Sequence, residues 1–344
     1  MKDILTIKSA QGNSEIHIVG NAFTALKQSI KSGYKDVRIA VITDTNVAEL
    51  YHDQIHKALP EADILVVEAG EKSKTMQTAE VLCEDLLENG YGRDSVIIGF
   101  GGGMVTDLAG FVASIFMRGV DYIAVPTSLL AMVDASVSGK TGVNAGAKNI
   151  IGTFYPAKEV IVDSAFLKTL PERELKTGMA EVIKYSAVLD ASLEKDLKAK
   201  KANYSMLITK SISAKVKVCN KDLKEGGLRK VLNFGHTLGH AIEYLSKYKL
   251  THGEAISIGM ILANKVAQKL GKQTETDGEK IAELLRAQAL PTELPKNISL
   301  KDMVEMVYKD KKMEGQEVSF ILSVGIGKNE IVKLKPAELK KLLK

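Results

Sequence analysis

The sequence predicts an α/β protein, with an N-terminal Rossmann-like parallel-sheet domain followed by a C-terminal, mainly α-helical domain. Three observations carry this reading. The first half alternates short β-branched runs with helical patterns. Those runs are apolar on both faces, as strands of a sheet covered on both sides are. Beyond Leu170–Pro171 the pattern changes to long amphipathic helices. A chain of 344 residues exceeds one ordinary core, so we divide it into domains 1–170 and 171–344.

Ile4–Ile7 and Glu15–Val19 read as an opening pair of strands. Asp36–Thr43 is a buried strand, followed by a polar turn, Asp44–Asn46. Ala62–Glu68, Ser95–Phe100, Tyr122–Pro126 and Val160–Asp163 continue the sheet. Helical patterns fall near Ala48–Ala58, Thr75–Glu88 and Val105–Arg118. In the second half, helices are expected over Glu172–Lys198, Tyr204–Asn220, His236–Lys247 and Gly253–Leu270. Short helices and one strand-like run, Glu317–Leu322, close the chain.

Composition narrows the class. Apolar residues make up 45% and charged residues 26%, values of an ordinary globular chain rather than a disordered one. The net charge of +5 suits an anionic small substrate at least as well as nucleic acid. With 8 Phe, 10 Tyr and no Trp, and no basic arm interleaved with aromatics, nucleic-acid binding is not expected. Cys83 and Cys219 cannot build a disulfide framework and read as reduced core residues. The stretch Val96–Met117 is apolar enough to resemble a membrane span, but it contains Asp107 and five glycines and divides better into strand, turn and helix. The N-terminal MKDILTIKSA lacks the apolar run of a signal peptide. A soluble cytoplasmic protein is expected.

After the strand Ser95–Phe100 comes Gly101-Gly102-Gly103-Met104-Val105-Thr106-Asp107. Glycines admit close backbone approach, and the following helix aims free N–H groups at the turn, a combination suited to a pyrophosphate. The same glycines also serve a tight turn requiring positive φ. The dinucleotide fingerprint is incomplete, because Met104 occupies the third glycine position. Asp107, one turn into the helix, suits either a ribose hydroxyl or the helix terminus.

Three of the six histidines, His236, His240 and His252, fall within 17 residues. His236 and His240 are four apart on one helix face, and His252 opens the next helix. Two such imidazoles with a third from a neighbouring element form a frequent divalent-metal arrangement, zinc first. Separately, each reads better as a surface or helix-start histidine; as a cluster they favour a functional role. Glu181, in GMAEVIK, is a further ligand candidate, since a carboxylate in an apolar helical run needs a cation. Its alternative is a surface ion pair with Lys184. Arg118, Lys140, Lys148, Lys184, Lys215 and Arg229 lie beside glycines, Asn149, Asn233 or the histidines, where phosphate and carboxylate groups could be gripped.

GGGMVTDLAGFVASIFMRG, PTSLLAMVDASVSGKTGVN, AKNIIGTFY, AEVIKY, LRKVLNFGHTLGHAIE and HGEA, in this order and spacing, resemble the 3-dehydroquinate synthases of the sugar-phosphate cyclase superfamily. The likeness runs from about Asp44 to Lys312. It implies a homodimeric cytoplasmic enzyme that uses NAD and one divalent metal, zinc or cobalt. Its small-molecule substrate would be the sugar acid phosphate 3-deoxy-D-arabino-heptulosonate 7-phosphate (DAHP), which loses phosphate and closes to 3-dehydroquinate on the shikimate route. By motif, the metal ligands would be Glu181, His236 and His252. His240, a ligand by spacing alone, would instead be catalytic, together with Lys184, Lys140, Glu225, Arg229 and Asn233. The dinucleotide would rest on Gly102, Gly103 and Asp107, with Asp44, Asn46, Glu71, Lys72, Lys74, Thr127, Ser128, Lys140, Lys148 and the turn of Phe166, Leu167, Lys168 and Thr169 around it. Substrate would meet Arg118, Asp134, Lys140, Asn149, Lys184, Lys215, Arg229, Asn233 and His240, and Lys311 or Lys312.

The sequence departs from the family pattern at Ser138 and Ser186, where glycine is usual, and at Leu223, where an acidic residue is frequent. Ser138 would tighten the loop carrying Lys140. Three other readings compete. They are another cyclase such as 2-deoxy-scyllo-inosose synthase, an NAD- and metal-dependent dehydrogenase of the glycerol dehydrogenase type, and a non-catalytic relative. Arg229, Asn233, Lys148 and Asn149 together favour a substrate bearing a carboxylate.

Overall fold

A computed structural model describes residues 3–9, 12–223, 226–310 and 317–344. The chain forms two compact units, Met1–Leu170 and Pro171–Lys344.

In the first unit the elements run β1 (Asp3–Ile7), β2 (Ser14–Ile18), α1 (Ala22–Gly33), β3 (Ile39–Asp44), α2 (Thr45–Ala58), β4 (Asp63–Val67), α3 (Met76–Glu88), β5 (Val96–Gly101), α4 (Gly103–Ile115), β6 (Asp121–Pro126), α5 (Leu129–Val133), β7 (Lys140–Ala145), β8 (Ala147–Phe154) and β9 (Glu159–Val162). Seven strands make one sheet in the order β1-β2-β9-β6-β5-β3-β4. All its pairings are parallel except β1 with β2. Every residue of β3 and β5 is buried, which explains their unbroken apolar runs. The edge strand β4 leaves Val66 47% exposed.

The connection reverses direction at β3. From β3 the chain steps outward to β4, then returns to the other side of β3 to form β5. Right-handed crossovers then carry helices to opposite faces, opening a crevice beyond the carboxyl ends of β3 and β5. Asp44 and the Gly101–Gly103 turn stand at those two ends.

The second unit contains α6 (Glu172–Val188), α7 (Ser192–Leu197), α8 (Tyr204–Cys219), α9 (His236–Leu245), α10 (His252–Lys269), α11 (Glu275–Ala287), α12 (Leu300–Asp310), the antiparallel hairpin β10 (Val318–Ser323) with β11 (Asn329–Leu334), and α13 (Pro336–Leu343). The hairpin closes the end of α6. Gly327 N–H donates to the Ser186 and Ala187 carbonyls, and Asn329 Nδ2 to that of Val188. Those carbonyls have no partner within the helix.

Several local expectations change. The turn Asp44–Asn46 is the start of α2, because the Asp44 carboxylate caps it by accepting the Val47 N–H at 3.0 Å. The single helix Glu172–Lys198 breaks at Leu189. There the Leu189 and Asp190 N–H groups both donate to the Tyr185 carbonyl, and the Asp190 carboxylate accepts the Ser192 N–H. The helix α1 and the hairpin β7–β8 were not expected from periodicity. Cys219 is buried and Cys83 only half-buried, both as free thiols. Among the described residues no helix is long and apolar enough to cross a membrane.

Candidate metal and dinucleotide sites

In the first unit, the chain turns from β5 into α4 through glycines. A Cβ on Gly101 would stand 2.7 Å from the Val105 side chain, so any larger residue would force strand and helix apart. Gly102 leaves the first turn of α4 without a side-chain cap, and its backbone amides stay open to an anion. Thr127 anchors the turn by donating its N–H to the Gly101 carbonyl at 2.9 Å, and Ser128 caps α5 beside it.

Lys74 organises the surroundings. It is 3% exposed, and its ammonium donates to Asp107 Oδ2 and Asn149 Oδ1, both at 2.5 Å. Burial pushes the Asp107 carboxyl above its usual value. Lys74 opposes that shift, while Glu71 and Asp134 reinforce it. Asn144 ties the β7–β8 hairpin to the same loop, donating to Glu71 Oε1 at 2.9 Å and accepting the Asn149 N–H at 2.9 Å. Glu71 and Lys72 lie on a short 3-10 turn before Lys74.

Other predicted residues of this unit take separate places. Phe166, Leu167 and Lys168 lie on a 3-10 turn, with Phe166 packed edge-on to Phe100 and Tyr51. The Tyr51 hydroxyl meets Thr169 Oγ1 at 2.6 Å, an anchor with no signal in the sequence reading. Arg118 is exposed, with Met117, Arg118 and Gly119 at φ of 50°, 70° and 117°. Such backbone is kept where the surroundings over-determine it. Asp134 caps no helix by its side chain and stands between α5 and the turn 135–137. The Ser138 hydroxyl donates to the Ala135 carbonyl and accepts the Lys140 N–H at 3.0 Å, so serine tightens this loop as the sequence suggests. Lys140 opens β7 and Asn46 lies in the first turn of α2, both exposed, and Lys148 is half-buried on β8.

In the second unit, Glu181, His236 and His252 each offer a ligand atom, all within 4.8 Å of one another. Glu181 comes from the middle of α6 and is fully buried. His236 opens α9 directly after Gly235, whose φ of 77° suits glycine. His252 is the first residue of α10. The helices can converge because Gly253 lies against α6, where a Cβ would sit 2.4 Å from the Thr177 carbonyl oxygen.

Glu181 Oε1 stands 3.4 Å from His236 Nε2 and 3.3 Å from His252 Nε2. Donors about 2.0–2.1 Å from a tetrahedral zinc stand roughly 3.3–3.4 Å apart, so these residues fit the ion. Each imidazole also has its other nitrogen engaged, His236 Nδ1 with the Phe234 carbonyl at 3.1 Å and His252 Nδ1 with Glu243 Oε2 at 3.5 Å. The ion pair of Lys184 with Glu181 is entirely buried, not on the surface. Burial alone would raise the Glu181 carboxyl, but Lys184 and the two imidazoles hold it well below the usual range. Burial lowers His236. His252 resists the same effect through Glu181 and Glu243 and is pushed up to about 9.

His240 is exposed, its ring 5.3 Å from that of His236, and it is not one of the three clustered donors. The His236–His240 helix spacing therefore does not define the cluster. Lys215 and Arg229 are buried and Asn233 half-buried. Asp222, missed in the sequence, accepts the backbone N–H groups of Gly226, Gly227 and Arg229 at 2.9, 2.7 and 3.0 Å, and they hold its carboxyl low. The Leu223 carbonyl accepts the Arg229 guanidinium, a role for backbone at a position where the side chain departs from the family. Glu225, Lys311 and Lys312 lie outside the described residues.

Residues 64–177 match the model of the 3-dehydroquinate synthase N-terminal family, and residues 178–313 that of the 3-dehydroquinate synthase C-terminal family. The chain is 40% identical to a 3-dehydroquinate synthase of Thermoanaerobacter pseudethanolicus, over 99% of this chain and all of the relative. Among solved structures, it resembles a 2-deoxy-scyllo-inosose synthase complexed with carbaglucose-6-phosphate, NAD+ and Co2+, with TM-score 0.87 and 27% identity over 99% of each chain. A 2-epi-5-epi-valiolone synthase of Streptomyces hygroscopicus with NAD+ and Zn2+ bound also matches at TM-score 0.87 and 27% identity, over 95% of each chain. The chain belongs to the 3-dehydroquinate synthase family, whose members are NAD- and metal-dependent lyases.

Proposed function

We propose that the protein converts DAHP to 3-dehydroquinate and inorganic phosphate. The observation that carries this is the buried Glu181–His236–His252 donor set beside Lys184, in a chain 40% identical to a 3-dehydroquinate synthase along its whole length. When bound, the divalent cation supplies polarisation of a substrate hydroxyl, and NAD a hydride acceptor that is returned to its starting state.

The protein's own residues do the rest. Unit 2 holds the cation by Glu181, His236 and His252, and Lys184 keeps Glu181 ionised whether or not the cation is present. Arg229, held from behind by the Leu223 carbonyl and the Asp222 cradle, offers a fixed guanidinium for an anionic group of the substrate. Lys184, Lys215, Asn233 and His240 are the further substrate contacts of this unit, with His240 beside the leaving phosphate. Glu225, Lys311 and Lys312 belong to the same proposal by motif. In unit 1 the open amides of α4, with Gly102, Gly103, Asp107, Thr127 and Ser128, receive the dinucleotide. Arg118, Asp134, Lys140 and Asn149 are that unit's substrate contacts. Restricting the freedom of the open chain favours the intramolecular ring closure. A homodimer in the cytoplasm completes the reading, consistent with the two free thiols.

The test is stoichiometric. With DAHP, NAD and zinc, the purified protein should release inorganic phosphate without net accumulation of NADH. Phosphate release from glucose 6-phosphate and not from DAHP would move it to the 2-deoxy-scyllo-inosose class. Steady NADH formation with glycerol would make it a dehydrogenase.

A further inference from the structure

His236 and Glu243 lie seven residues apart on α9, two turns along one helix face. His252, at the start of α10, therefore meets α9 twice. Its ring lies 5.2 Å from that of His236, and its Nδ1 lies 3.5 Å from Glu243 Oε2. Glu243 is 4% exposed. A buried carboxylate is costly unless hydrogen-bonded or paired, and the proposed reaction gives this one no substrate to touch.

We propose that Glu243 is a positioning residue for the cation site: it accepts the Nδ1–H of His252 and thereby aims the Nε2 lone pair at the cation beside Glu181. An imidazole can coordinate through only the nitrogen that lacks a proton, so the partner of the other nitrogen selects tautomer and ring angle. His236 is set the same way by a neutral group, the Phe234 carbonyl. Glu243 offers a carboxylate oxygen where His236 meets a carbonyl, 3.5 Å from His252 Nδ1. The inference rests on the reading of Glu181, His236 and His252 as metal ligands.

The test measures zinc affinity of the full-length protein by chelator competition, after the metal is stripped. Glu243→Ala should bind zinc about 10–100-fold more weakly than the parent, the usual effect of removing an outer partner of a ligating imidazole. Glu243→Gln keeps the shape and an acceptor oxygen without the charge, and should fall between the two. A purely structural role would lower the melting temperature of the metal-free protein while leaving zinc affinity alone. Zinc affinity within twofold of the parent in both variants, with His252→Ala strongly weakened, overturns the role of Glu243 alone. Parent-like affinity in His252→Ala overturns the ligand reading itself. Should the alanine variant fail to fold, the glutamine variant decides, and parent-like zinc affinity there overturns the proposal.

Discussion

The two units pair a buried lysine with a carboxylate in opposite ways. In unit 1, Lys74 divides its ammonium between Asp107 and the neutral amide of Asn149, with Glu71 and Asp134 nearby, and the Asp107 carboxyl is raised. In unit 2, Lys184 and two imidazoles converge on one fully buried carboxylate, and Glu181 is lowered. The first arrangement distributes the hydrogen bonds of one ammonium over a carboxylate and an amide. The second focuses positive charge on one acceptor, and a divalent ion is the natural member of that group. Their helix ends differ in the same sense. The first turn of α4 has no side-chain cap, whereas α10 is closed by its own capping box of Thr251 and Glu254. The first-turn amides of α4 are left without a side-chain partner, whereas α10 satisfies its own.

The largest effect should come from His252→Ala, which removes one of three donors. We expect metal content to fall to background by elemental analysis and kcat to fall about 10^3-fold or more, equivalent to roughly 4 kcal/mol of lost transition-state stabilisation. Circular dichroism should stay native, because His252 is not a core residue. Full metal content would erase the distinction between the units. The lysines sharpen it. Removing one partner of a buried pair costs about 3–5 kcal/mol, since the other charge is left uncompensated. Lys184→Ala should show that deficit in metal-free thermal unfolding, and Lys74→Ala a smaller one, because the Asp107 side chain is 20% exposed. Saturating zinc should return much of it to Lys184→Ala, where the cation meets Glu181, and none to Lys74→Ala. Equal deficits with and without zinc would show that the pairs are equivalent.

Much of this was legible from local chemistry. The strands of the parallel sheet were readable because burial on both faces leaves unbroken apolar runs, as in Ile39–Asp44 and Val96–Gly101. Local chemistry put Glu181, His236 and His252 among the candidate ligands together with His240, and only the resemblance set His240 apart. Helix spacing alone joined His236 to His240, because the proximity of His252 depends on α6, α9 and α10 packing through glycine contacts, a long-range fact. The hairpin β7–β8 escaped notice because β8 is mostly exposed and Gly142 and Gly152 face each other across it, so it shows no alternation. Asp222, Glu243 and Tyr51 escaped for another reason: each acts through a backbone amide or a second side chain brought close only by the fold. The buried state of the Glu181–Lys184 pair is equally invisible locally, since Glu-x-x-Lys on a helix is ordinarily solvated.

The smallest effect we expect concerns the closed end of α10. Glu254 accepts the Thr251 N–H at 2.7 Å within the capping box and receives two hydrogen bonds from Arg173 of α6, at 2.8 and 3.0 Å. It thus braces from outside the two helices that bring His252 to Glu181. Glu254→Gln preserves one capping acceptor oxygen but removes the charge and one of the two oxygens that accept from Arg173, so it should cost about 0.5–1 kcal/mol at neutral pH. The Arg173 hydrogen bonds, more than any other contact, hold this carboxyl below its usual value, against the opposing effect of burial. A lowered folded value means that the stabilisation is complete above the unfolded pKa of about 4.3 and is lost as pH falls through the folded value. The stability gap between parent and Glu254→Gln should therefore be level from pH 6 to 8 and close in the acid range. A gap that persists after Glu254 is protonated would assign the brace to shape rather than charge. It would then remove one of the grounds for contrasting α10 with α4, whose first turn carries no acidic residue of its own.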